Sequence, residues 1–304
     1  MSEVVLTNLS NKLFHSSRIL LNESAKKFGV NKIKSFQYEE LESTEFYAAN
    51  KAILSQPTGL GYWLWKPYII LEAFNGLTEE DIVIYSDCGI EVIGDLTPLI
   101  NLCRNNADIL LFANSNDINK FWTKRDCFVL MNCDEDKYFN ANHCDAAFCL
   151  FKKNTRSIQF LKEWLFFAGD INILTDIPNK CGKYNLPEFI EHRRDQSILS
   201  LLAVKHRIEL YRMPTQFGNH YKPEQCRLLG EFNCVNQSNY DQVDYYSLNP
   251  FKNSVYPQLL FHHRKKNYTL NDNNKSDSFG FAIQLKNYCL ALTKRFLRVM
   301  KNFN

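Results

Sequence analysis

The chain has 304 residues, of which 45% are hydrophobic, 23% charged and 14% aromatic. These proportions are those of a globular protein and exclude a disordered, collagen-like or coiled-coil chain; the length suits one large domain or two small ones. The net charge of +3 is unevenly placed, because residues 281–304 carry five basic groups (Lys286, Lys294, Arg295, Arg298 and Lys301) and no acidic one, against 31 basic and 33 acidic groups elsewhere. That asymmetry points to an anionic partner for the tail alone.

Val4-Val5-Leu6 reads as a short buried strand. Ser16 or Ser17 is placed to cap a helix that runs through Lys27 and stops at Gly29. Lys32 to Phe36 reads as a second strand, completing the βαβ unit that commonly opens an α/β domain. Glu40 to Ser55 has helical character, and Pro57 to Gly61 reads as a loop. Lys66-Pro67 opens the next helix, which Gly76 closes. Ile82 to Tyr85 is a continuous apolar run of the kind buried on both faces of a parallel sheet. Asp108–Phe112, Phe128–Met131 and Ala146–Phe151 read as further strands. Ser157–Ala168 and Asp195–Lys205 read as helices, the second with Asp195 as N-cap. Residues 212–260 are polar, aromatic and poorly periodic, and 271–280 read as a linker.

Several functions are excluded or disfavoured by what the sequence lacks. None of the ten cysteines forms a C-x-x-C pair, as a zinc knuckle or redox loop requires. The dinucleotide fingerprint and the P-loop are missing. The N-terminus has no signal-peptide run and no stretch reaches ~18 apolar residues, so a cytoplasmic protein with reduced thiols is expected.

Four segments carry candidate chemistry. Asp87 follows a buried strand, the edge where α/β folds bind ligands, and Gly89 admits a close approach; an Asp-x-Gly turn without a ligand is the plain alternative. Gly59-Leu60-Gly61-Tyr62-Trp63-Leu64-Trp65-Lys66 leads into a helix N-terminus that favours anions, with rings that suit a base or a sugar; a helix packed by aromatics explains the same residues. His192-Arg193-Arg194-Asp195-Gln196 crowds polar groups suited to an anionic, hydroxyl-rich ligand. His262-His263-Arg264-Lys265-Lys266 combines imidazole metal ligands with phosphate-binding cations, or forms a basic surface loop.

Taken together, these segments resemble GT-A glycosyltransferases over roughly residues 1–270. Ile-Val-Ile-Tyr-Ser-Asp87 is similar to the family's acidic motif, although that motif has two aspartates and Asp87 matches either. Asp195-Gln196-Ser197-Ile198-Leu199-Ser200 is similar to the Asp-Gln-x-Ile-Leu-Asn segment of retaining family 8-type enzymes, and His262/His263 with Lys265/Lys266 to their C-terminal His…Lys element. The Gly-Tyr-Trp-Leu-Trp-Lys-Pro and Tyr-x-Asp-x-Gly pair resembles bacterial surface-polysaccharide glycosyltransferases. The resemblance implies an α/β fold of GT-A type, with a Rossmann-like, mostly parallel sheet flanked by helices. It implies a nucleoside diphosphate sugar as donor, a UDP-hexose first, and a glycan or lipid-linked glycan as acceptor.

The same resemblance assigns roles. Asp87 with His262 or His263 would bind Mn²⁺ or Mg²⁺ on the diphosphate. Thr7 and Asn8 would hold the nucleotide. Trp65, Lys66, Tyr85, His192, Arg194, Arg264 and Lys265 would contact the donor, with Arg125 and Asp126 on its sugar or forming only a surface ion pair. Asp145 begins a strand where the family places a sugar contact. Gln196 and Asp195 would lie at the anomeric carbon. Retention of configuration is expected, with Asp195 the candidate base if transfer inverts.

Phe281, Leu285, Tyr288, Leu292, Phe296, Val299 and Phe303 recur at helical spacing, with the basic groups opposite. A basic amphipathic helix suits the anionic cytoplasmic face of an inner membrane; packing against the body is the alternative. No stripe of interleaved basic and aromatic residues marks the body for nucleic acid. A carbohydrate-binding protein on a degenerate GT-A fold is the other class the lone Asp87 allows.

Overall fold

The computed structural model describes residues 2–218, 251 and 253–266. Its frame follows from the apolar runs. β1 (Val4–Ser10) and β3 (Ile82–Ser86) are buried at every position, as strands covered on both faces must be. They join β2 (Lys32–Gln37), β5 (Ile109–Ile118), β6 (Asn142–Lys152) and β7 (Leu210–Arg212) in a sheet of order β2-β1-β3-β6-β5-β7. β1 runs parallel to β2 and β3, and β5 parallel to β7. β6 is antiparallel to both β3 and β5, so it alone in this sheet opposes the common direction. A separate ladder pairs β4 (Ile90–Val92) with β8 (Leu260–His262), antiparallel.

Because side chains alternate along a strand, the sheet divides the core into two layers. Val5, Val83, Tyr85 and Leu111 pack on one side with α2 (Trp65–Ala73), α5 (Thr155–Ala168) and α6 (Asp195–Lys205). Val4, Leu6, Ile82, Ile84, Leu110 and Phe112 pack on the other with α1 (His15–Lys27) and α3 (Thr97–Asn105). The expected α/β architecture, a mostly parallel sheet between helical layers, is therefore present. Burial at ~1.5–3 kcal/mol per large apolar side chain holds the frame together.

Several local expectations are corrected. Phe128–Met131 is not a strand but the end of α4 (Arg125–Leu130) and its cap. Cys127, Phe128 and Met131 are buried while Leu130 is 41% exposed, a helical rather than a two-residue alternation. The helix expected over 40–55 breaks into Tyr38–Leu41, Glu45–Ala49 and Lys51–Leu54, because Thr44 caps a new start by accepting from the Tyr47 amide. Neither Ser16 nor Ser17 caps α1, which begins at His15 after a turn capped by Asn11. Ser17 is instead buried and donates to the carbonyls of Lys265 and Lys266 at 2.8 and 2.7 Å, tying the basic segment to α1. The expected linker at 271–280 and helix at 281–304 lie outside the described residues.

Candidate functional site

Residues 59–63 form a left-handed turn. Gly59, Leu60, Gly61, Tyr62 and Trp63 all have positive φ, between 55° and 90°. Leu60, Tyr62 and Trp63 each carry a cost of roughly 1–2 kcal/mol for this conformation. Both glycines are demanded by packing as well. A Cβ at Gly59 would lie 2.4 Å from the Trp63 ring, and one at Gly61 would lie 2.5 Å from the Leu54 Cα. The turn delivers the chain into α2 with Trp63 half-exposed and Trp65 buried. The Trp65 indole N–H donates to the Gly59 carbonyl, closing the turn.

Lys66, the second residue of α2, is the centre of the site. Its side chain is 4% exposed, and its Nζ lies 2.9 Å from Asp195 Oδ2 and 3.4 Å from Asp87 Oδ1. It also donates to the Ala146 carbonyl at 3.1 Å and lies over the rings of Trp63 and Tyr85 at 5.8 and 5.4 Å. The two carboxylates arrive from different elements. Asp87 leaves β3, with its amide bonded to the Ala147 carbonyl of β6, and Asp195 opens α6. The Tyr85 hydroxyl donates to the same Asp87 oxygen that faces Lys66. Asp87 is the exposed member at 30%, against 6% for Asp195.

These contacts set the charges. Burial, helped by the Asp87 charge, raises the Asp195 carboxyl to about 6, although Lys66 pulls the other way. Burial alone would lower the Lys66 ammonium, but Asp195 and Asp87 outweigh it and hold the group above its ordinary value. Asp145 in β6 is raised by burial and by Asp87, with the Ala147 amide, Arg264 and Lys66 opposing.

Arg194 occupies the cap position before α6 at φ 56°, where Asp195 was expected. The Asp195 carboxylate faces Lys66 and also receives the Gln196 amide. Arg194 pairs with Asp176 at 2.9 Å and lies 5.9 Å from the Trp63 ring. Gln196, half-buried, donates through Nε2 to the Cys144 carbonyl at 2.7 Å.

The 262–266 segment joins the site through the β4·β8 ladder. His262 pairs with Ile90, and the Arg264 amide donates to the Gly89 carbonyl at 3.0 Å. Gly89 is thus small for the chain's own sake, since a Cβ there would lie 3.1 Å from the Arg264 Cα. The Gln216 side chain brackets the His262 backbone, accepting from its amide and donating to its carbonyl, both at 2.9 Å. Burial first, and then the neighbouring Arg264, His263 and Lys66, hold the His262 ring well below its usual value. Burial and Lys265 lower His263 to about 4, and its Nδ1 accepts from the Lys265 amide.

Other expected site residues have structural partners. Thr7 and Asn8 are fully buried in β1, bonded to the Lys34 carbonyl and to Asn22. The Asp126 carboxylate accepts from the amides of Lys180 and Cys181, and Arg125 pairs with Asp134 at 2.8 Å. The His192 ring bonds the Ile173 carbonyl and the Lys124 amide, and is lowered to about 3 by burial and by the Lys124 charge. The Asp126 and His192 contacts, with the Arg125 amide donating to Asn185 Oδ1 at 2.8 Å, tie the 173–192 segment to α4 and its approach. Trp63 is half-buried beside Lys66, whereas Trp65, 5% exposed, lies in the core.

The residues present do not fit a divalent ion. Asp87 Oδ1 already faces a hydroxyl and an ammonium. His262 has a buried Nδ1 that lacks a hydrogen-bond partner, but its electrostatic neighbours Lys66 and Arg264 are cations. Among the described residues, no three His, Cys, Asp or Glu side chains gather as ligands.

No protein-family model matches the sequence, and no curated protein matches it. Among solved structures, the chain is similar to the glycosyltransferase GlyE of Streptococcus pneumoniae TIGR4, at 15% identity and a TM-score of 0.39, over 86% of this chain and 54% of that one. It is similar to the bifunctional glycosyltransferase WbbM at 12% identity and a TM-score of 0.45, over 86% and 45% of the two chains. It is similar to mouse xyloside xylosyltransferase 1 at 8% identity and a TM-score of 0.42, over 86% and 97%. The chain spans about half the length of the first two.

Proposed function

We propose that the chain is a GT-A-type glycosyltransferase. It would move a hexose from a nucleoside diphosphate donor, a UDP-sugar first, to a glycan or lipid-linked glycan in bacterial surface polysaccharide synthesis. The observation that carries this reading is the joining of Asp87, Lys66 and Asp195 at one point. Three motifs far apart in sequence, each read separately as part of a donor site, share one buried ammonium at the end of a parallel strand, where α/β folds bind ligands.

In this reading each residue has a distinct task. The half-exposed Trp63 ring stacks on the sugar or base. The guanidinium groups of Arg194 and Arg264 take the diphosphate oxygens and stabilise the charge that grows as the nucleoside diphosphate departs. Asp87, the carboxylate that reaches solvent, and Gln196 orient the sugar. Asp195 is buried against Lys66, which takes it out of use as the base that inversion requires and supports retention. The tail, read from its sequence alone, would dock the protein on the anionic cytoplasmic face of an inner membrane.

A thermal-shift screen of UDP-, GDP-, CMP- and dTDP-sugars tests the reading. One donor is expected to raise the melting temperature and to be turned over with release of its nucleotide. Donor binding without release would indicate a carbohydrate-binding protein instead, and the lack of any shift would refute both.

A further inference from the structure

GT-A enzymes usually bring a divalent ion to the donor diphosphate, and here the donor set does not suit one. We propose that this site binds its donor without a divalent ion, because Lys66 is built into the chain as the cation between Asp87 and Asp195. The inference rests on the glycosyltransferase reading and concerns the same site.

The ammonium lies between the two carboxylates that a divalent ion would need. Lys66 Nζ is held by Asp195 at 2.9 Å and the Ala146 carbonyl at 3.1 Å, with Asp87 at 3.4 Å. The Trp63 and Tyr85 rings cover it. A divalent ion that took these carboxylates would leave the buried ammonium, 4% exposed, without its ion-pair partners, and an uncompensated buried charge is costly. An ion bound through Asp87 would approach the ammonium closely, and like charges so near repel strongly away from bulk water. Asp87 also receives the Tyr85 hydroxyl on the oxygen facing Lys66, which reduces what it offers a metal.

With the carboxylates already neutralised, positive charge for the diphosphate falls to the guanidinium groups. Arg264 is exposed, and its backbone is fixed by the Gly89 carbonyl and by its place after β8. The Arg194 guanidinium carbon lies 5.9 Å from the Trp63 ring, and its Nε and Nη2 donate to the partly exposed Asp176 at 3.1 and 2.9 Å, a partner that an incoming phosphate would have to share. Arginine presents a planar fork that matches phosphate oxygens without a metal.

Calorimetric titration of the full chain with UDP, GDP and dTDP, each in EDTA and in Mn²⁺, tests this. The expected result is that one nucleotide binds with a Kd that differs by less than about twofold between the two buffers. Arg264→Ala is expected to weaken that binding by about tenfold or more in EDTA. Binding that EDTA weakens by more than about tenfold would overturn the metal-free inference and leave the glycosyltransferase reading standing. An unchanged Kd in Arg264→Ala would remove the arginine from the diphosphate site. Failure of all three nucleotides in both buffers would overturn the inference together with the reading on which it rests.

Discussion

Replacing Lys66 by methionine keeps an unbranched apolar stem of about the same bulk and removes the ammonium. Breaking a buried ion pair from one side costs about 3–5 kcal/mol, because the remaining charge has no partner. Asp195, 6% exposed, bears most of that cost, and Asp87, at 30%, is partly relieved by water. The loss should also depend on pH, and the direction follows from Asp195. Its folded carboxyl titrates at about 6 rather than 3.8, so it favours the folded state at low pH and the benefit is lost as pH rises through about 6. Without Lys66 that carboxyl rises further, and the loss continues towards pH 8 at about 1.4 kcal/mol per unit of separation. Urea unfolding at pH 5 and pH 8 measures it. The Lys66→Met deficit should reach ~3–5 kcal/mol at pH 8 and be smaller at pH 5 by ~1–3 kcal/mol. A deficit under ~1 kcal/mol at pH 8, or one equal at both pH values, would refute the idea that Lys66 neutralises a buried carboxylate.

Gly61→Ala should lower stability by several kcal/mol, since it combines the strain of a positive φ with a Cβ 2.5 Å from the Leu54 Cα; a melting temperature equal to wild type would mean that the left-handed turn is wrong. The two tryptophans should separate cleanly. Trp65→Ala should cost about 3–5 kcal/mol of stability, while Trp63→Ala should spare the fold and weaken donor binding by roughly tenfold, the effect of losing a stacking contact worth ~1.4 kcal/mol. Donor affinity unchanged in Trp63→Ala would take that ring out of the site.

The sheet was legible because β1 and β3 are covered on both faces and open on the apolar runs Val4-Val5-Leu6 and Ile82-Val83-Ile84-Tyr85. Asp87 was legible for the same reason, as the first acid after such a run. Phe128–Met131 was not, because four apolar residues fit one helical turn as well as a short strand, and only the surrounding contacts decide. Trp63 and Trp65 are chemically alike and two residues apart. Which one faces the site depends on five positive φ values that only two of the residues, Gly59 and Gly61, announce. The Asp195 cap failed through a long-range competitor: an aspartate before a helix suits the helix amides, yet Lys66, distant in sequence, claims its carboxylate. The role of Gly89 was similarly hidden, since the close neighbour is the backbone of Arg264 rather than a ligand.

If Asp87 and its partners at Lys66 form a glycosyl-transfer site, Asp87→Asn removes the one carboxylate of the pair that reaches solvent. Asparagine keeps the shape at a position that is partly exposed, so the variant should fold and melt within a few degrees of wild type. Release of nucleoside diphosphate from the donor selected by the thermal-shift screen should fall by about 100-fold or more. A folded Asp87→Asn protein that turns over the donor at the wild-type rate would contradict the account.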